Sequence, residues 1–83
     1  VYIFKLYNNF YKIGCTTNIA ERMKSLKASC PTLNCVWSAH VRDMLIVEQE
    51  LHKYFKSKKV EREIFILETG DTIQADRIAD KYR

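Results

Sequence analysis

Apolar and aromatic residues fill two short runs at the start of the chain, residues 1–7 and 10–15, and Asn8-Asn9 separates them. Tyr, Phe, Ile and Val in runs of this length predict two strands. Asn tolerates the left-handed backbone of a tight hairpin, so the pair of asparagines predicts the turn. Two registers are open. A two-residue loop pairs Tyr7 with Phe10 and Tyr2 with Cys15. A three-residue loop, Tyr7-Asn8-Asn9, pairs Leu6 with Phe10, Phe4 with Lys12 and Tyr2 with Gly14. One slip changes which side chains share a face.

Helical spacing takes over after the hairpin. Ile19, Met23 and Leu26 form an apolar stripe, with Arg22, Lys24 and Lys27 outside it. Asn18 is placed to cap this helix, with Glu21 three residues on. Pro31 disfavours a helical residue before it and sets the stop near Ser29. Residues 35–41 alternate well enough for a third strand. Asp43 then caps a helix reaching about Lys56, with Met44, Val47, Leu51 and Tyr54/Phe55 as its stripe. "KSKKVERE" reads as a charged connector and "IFIL" as a strand or extended edge. Gly70 turns the chain, and Asp71 caps a last helix over residues 71–82 with Ala75, Ile78, Ala79 and Tyr82 inward. The order predicts an α/β (α+β) domain: a small, mainly antiparallel three-stranded sheet flanked by helices.

Eighty-three residues with two glycines and one proline suit a single globular domain, 1–83. A chain this short buries only ~60% of the surface it exposes when unfolded, which leaves no room for two independent cores. No apolar run approaches the ~18 residues of a membrane span. The net charge of +4 favours polyanionic partners such as nucleic acid. Cys15, Cys30 and Cys35 are an odd set without a CxxC pair. That pattern suits free thiols in a reducing, intracellular compartment better than a disulfide framework. Cys30, Cys35 and His40 fit no standard zinc spacing.

No phosphate-binding glycine loop, GxSxG or HExxH motif is present, so any chemistry must come from residues scattered along the chain. Glu48 and His52, four apart, share one helix face, and Glu48 borders the apolar stripe. A carboxylate there is either an ion-paired border residue or a ligand for a hard cation such as Mg²⁺, which needs few protein oxygens. Arg22 is either a solvated helix arginine or a five-donor fork for a phosphate. Lys12 interrupts an apolar strand two residues before Gly14. A lysine in such a run lies on an exposed face or is held by a negative group. A glycine nearby lets a ligand or backbone approach closely.

"VYIF" followed by "YKIG" resembles the paired motif of the GIY-YIG nuclease superfamily. "CTTNIAERMKSL" is similar to its first helix, with Arg22 eight residues after Gly14. "LIVEQELHKYF" resembles the helix that carries the metal-binding glutamate, and "REIFIL" the closing element of the phage and large-virus, T5orf-like branch that accompanies Bro or KilA DNA-binding domains. The likeness covers roughly residues 1–67. It implies a metal-dependent endonuclease acting on DNA inside a bacterium or an infected cell, fused to or working with a separate DNA-binding domain. Tyr2 then takes the place of the tyrosine that activates water, Lys12 the second-motif position, Arg22 the helix arginine, and Glu48 the metal ligand, with Mg²⁺ or another divalent cation as cofactor. The resemblance also selects the register, because Tyr2 and Lys12 share a face only when Tyr2 opposes Gly14.

The chain departs from the pattern in three places. The first motif's leading glycine would precede Val1. Leu26 stands where many nucleases have Tyr or His. The closing asparagine of some members is not evident, and Glu63 lies in that region. These departures keep a second expectation alive, a non-catalytic DNA-binding module on the same scaffold. In the catalytic reading the proton acceptor is a phenol, which ordinarily titrates near ~10. A cation within ~4–6 Å favours its ionised form, and Lys12 is the expected neighbour.

Overall fold

Residues 1–83 are described by a computed structural model. The hairpin forms as β1 (Tyr2–Tyr7) and β2 (Phe10–Gly14), followed by α1 (Ile19–Lys27), β3 (Asn34–Ser38) and α2 (Met44–Tyr54). A 3-10 turn at Lys56–Lys58 leads into β4 (Lys59–Glu61), β5 (Ile64–Ile66) and α3 (Asp71–Asp80). The α+β class is as expected, but the sheet has five strands in the order β3-β1-β2-β5-β4, every neighbouring pair antiparallel.

Of the two strands beyond the expected three, β5 lies in the apolar run read as a strand or extended edge, and β4 in the segment read as a charged connector. Arg62 has φ 44°, and this left-handed residue closes a two-residue turn between Glu61 and Ile64, which pair. Charge hid β4, because its row is Lys-Val-Glu. Such charges are what an unprotected sheet edge carries to discourage pairing with other chains.

The register combines both of the loops considered. The turn is the two-residue Asn8-Asn9, with Asn8 at φ 49° and Tyr7 opposite Phe10. An irregularity between Lys5 and Tyr7 absorbs one residue, and beyond it Phe4 opposes Lys12 and Tyr2 opposes Gly14. The expected pairing of Leu6 with Phe10 does not occur. A bulge supplies the odd residue that the loop was expected to supply.

The helices divide between the two faces. Tyr2 and Phe4 point to one side and pack with Leu33 against Ile19, Met23 and Leu26 of α1. Ile3, Ile13 and Phe65 point to the other and pack with Val47, Leu51, Phe55, Ala75 and Ala79 of α2 and α3. Each helix start follows from its cap. Asn18 Oδ1 accepts from Glu21 N at 3.0 Å, and Asp43 Oδ1 accepts from Ile46 N at 3.2 Å. The reciprocal half of the expected capping box is taken by Thr16, whose hydroxyl accepts from Asn18 N at 3.2 Å. At α3 the cap position is Gly70, and Asp71 is the first helical residue. Its carboxylate accepts from Glu68 N and from Lys58 Nζ, each at 2.8 Å.

Candidate functional site

The site is organised around a missing side chain. Tyr2 and Gly14 are opposite one another on β1 and β2. A Cβ on residue 14 would lie 2.5 Å from the Tyr2 hydroxyl oxygen. The glycine therefore lets the phenol lie across β2. The ring is held on its other flank by Phe4, stacked at 3.9 Å between centroids and 15° between planes. Tyr2 is fully buried, and its hydroxyl accepts a hydrogen bond from Arg22 Nε at 3.4 Å.

Arg22 is itself exposed, on α1. The hydrogen bond to Tyr2, and after it the charge of nearby groups including Glu63 and Cys15, hold the guanidinium more firmly protonated than usual. The cation beside the phenol is thus Arg22 rather than Lys12. Lys12 lies on the same face, opposite Phe4, but its ammonium is held by Glu63, Nζ to Oε2 2.7 Å. A lysine in an apolar strand is here explained by a negative group, and that group is Glu63.

Glu48 stands on α2, in the layer across the sheet from α1, and is half-buried. It reaches the end of the sheet rather than the Tyr2 face. Its carboxylate lies beside Cys15, the first residue beyond β2. Burial first, and then this neighbouring carboxylate, push the Cys15 thiol up to about 11. Cys15 also feels Glu63. Lys12 is thus paired with Glu63, Arg22 with Tyr2, and Glu48 lies beside Cys15. They do not line one cavity. Arg22 opens onto a polar depression with Thr16, Thr17, Asn18, Glu21 and Ser25. Lys12 opens onto a second with Glu61, Arg62, Glu63 and Ile64.

His52 shares the helix face of Glu48, but its ring has structural work. Nε2 donates to the Ile13 carbonyl at 2.9 Å, and the ring meets Phe65 edge-on at 5.0 Å. This strap ties α2 to β2 and fixes where Glu48 falls. Glu63 and Cys15 were not assigned from sequence. The signal for Glu63 was weak: a carboxylate inside a charged run, distinguished only once that run folds into a hairpin against β2.

No group of three His, Cys, Asp or Glu side chains gathers in a metal-ligating arrangement. The donor set at Glu48 suits only an ion satisfied by one protein carboxylate, with water and phosphate oxygens completing its shell, as Mg²⁺ is.

A small antiparallel sheet covered on both faces, carrying a phenol–guanidinium pair and an ammonium–carboxylate pair that open onto separate polar depressions, defines the candidate site on an α+β domain. The chain matches the T5orf172 domain over residues 1–83 and belongs to that family. Membership points to a nuclease-like or DNA-binding module. Searches of curated proteins and of solved structures returned no match.

Proposed function

We propose that this domain is a divalent-metal-dependent endonuclease of the GIY-YIG type that hydrolyses DNA phosphodiester bonds. The observation that carries this reading is the Tyr2–Arg22 contact, 3.4 Å, made across a position kept bare by Gly14. A buried phenol under an exposed guanidinium is a poised pair. Arg22 grips a phosphate with its planar fork of donors. Tyr2 acts as its phenolate, which the guanidinium beside it stabilises, and on accepting the proton of the attacking water it becomes the neutral phenol. The water oxygen bonds to phosphorus as the bond to the leaving ester oxygen breaks. Lys12 neutralises charge on a non-bridging oxygen, an electrostatic role that is worth most where water is excluded. Glu48 is the residue that would hold Mg²⁺, which supplies Lewis-acid stabilisation of the leaving oxygen.

The test is nicking of supercoiled plasmid by the purified domain in Mg²⁺. Glu48→Ala should abolish it, and Arg22→Ala should lower it by ~10²-fold or more, the scale for loss of one positioned donor. Activity that survives Glu48→Ala overturns the metal assignment.

A second reading, a DNA-binding module without chemistry, is favoured by one observation: Tyr2 is fully buried, and the four candidate residues share no cavity. It requires salt-sensitive DNA binding with no cleavage, unchanged by Glu48→Ala.

A further inference from the structure

The Lys12–Glu63 pair lies at the site, and the proposed chemistry uses only half of it. Three features fix Glu63 there. The left-handed turn at Arg62 delivers it to the end of β5. Its carbonyl accepts from Ile13 N at 3.0 Å, which fastens its backbone to β2. Its carboxylate then meets Lys12 Nζ at 2.7 Å, with the lysine side chain 19% exposed and the glutamate 37%. An exposed lysine is a flexible chain with ~2 kcal/mol of rotamer entropy. This one is held in a single place by a carboxylate whose own backbone is pinned.

The pair also changes the charge presented there. Paired with Glu63, Lys12 adds no net charge. The lysine is then held in position without drawing polyanions on its own.

Resting on the endonuclease reading, we propose that Glu63 is a positioning residue, which anchors the Lys12 ammonium where the scissile phosphate binds and offsets its charge until that phosphate arrives. It acts through Lys12 and does not itself touch the reacting atoms. The partner is the phosphodiester backbone, recognised by charge and geometry rather than by base.

Five proteins test this: wild type, Glu63→Ala, Glu63→Gln, Lys12→Ala and the double variant Lys12→Ala/Glu63→Ala. All are checked for folding by thermal melt. Lysine ¹⁵Nζ spectra of the wild type should show an immobilised Lys12 ammonium, besides that of Lys58 held by Asp71, and Glu63→Ala should release the Lys12 signal alone. Affinity for a short DNA duplex in EDTA should rise about threefold to tenfold in both Glu63 single variants, because an anion has left a phosphate site. In Mg²⁺, kcat of Glu63→Ala should fall by ~10²-fold, the cost of a displaced positioning group, with KM unchanged or lower. Glu63→Gln, which retains an acceptor for Lys12, should recover much of that loss. The double variant should be no slower than Lys12→Ala alone.

A Lys12 ammonium as mobile in the wild type as in Glu63→Ala overturns the proposal, as does a Glu63→Ala kcat equal to that of wild type. If wild type does not nick DNA at all, the endonuclease reading fails separately. The spectra and the EDTA binding then decide: anchoring with tightened binding upholds the pair's role at a phosphate site, and unchanged binding removes it.

Discussion

At the scale of single residues, Gly14 carries the most information. A Cβ there collides with the Tyr2 hydroxyl, and the ring cannot retreat because Phe4 is stacked behind it. Gly14→Ala should therefore cost about 1–3 kcal/mol of stability, the range for overpacking, as read by urea denaturation. Tyr2→Phe keeps the stack and removes only the hydroxyl. It should change stability by no more than about 1 kcal/mol while abolishing nicking. Cys15 makes a further prediction. With its thiol near 11, its alkylation by iodoacetamide, followed by peptide mass spectrometry, should be slow at pH 8 and accelerate only above about pH 10. Glu48→Gln removes a negative neighbour, so the thiol should titrate lower and react faster. The sign for stability follows from the same shift. A thiol raised in the folded state from 9.0 to about 11 binds its proton more tightly there than in the unfolded chain. It stabilises the fold fully below pH 9, and that contribution is lost as pH rises from 9 through 11.

At the scale of elements, α2 is placed by a hydrogen bond as well as by its apolar stripe. The stripe of Val47, Leu51 and Phe55 is buried as the spacing predicts, but a stripe permits the helix to slide and rotate by small amounts. His52, donating to the Ile13 carbonyl, removes that freedom. His52→Ala should cost about 1–3 kcal/mol through the lost bond and the lost contact with Phe65. It should also lower nicking beyond what the loss of fold explains, because Glu48 lies one turn away on the same face. The β4–β5 hairpin shows the opposite case. Its sequence carries little strand signal, and Arg62 occupies a left-handed conformation that disfavours residues with a Cβ by roughly 1–2 kcal/mol. Arg62→Gly should raise the melting temperature, since glycine's extra chain entropy offsets only about 0.5–1 kcal/mol of that gain.

At the scale of the whole molecule, the sheet separates Arg22, on α1, from Glu48, on α2, into different layers. The net charge is only +4, and the Lys12 ammonium is already paired with Glu63. DNA binding should accordingly be weak and steeply salt-dependent. The slope of log K against log salt should fall by about one unit in magnitude for Arg22→Ala if that side chain engages a phosphate. Anisotropy titrations at several salt concentrations measure this directly. No helix of the protein is long and apolar enough to cross a membrane.

Much of this architecture was legible along the chain, because it depends on local rules. The 3.6-residue spacing of Ile19, Met23 and Leu26, the caps at Asn18 and Asp43, and the alternation around Asn8-Asn9 each speak through residues a few positions apart. The face shared by Tyr2, Lys12 and Gly14 followed only from the family resemblance, because turn chemistry left both registers open, and the bulge that achieves it was not legible, since a bulge is chosen by both strands at once. Only the tertiary structure decided which cation stands beside the phenol and which anion holds Lys12. Those partners lie 20 and 51 positions apart, and charge acts through space rather than along sequence. The same holds for Glu48. Its helix was evident, but its reach to the sheet's end depends on a histidine bonded to a strand 39 residues away.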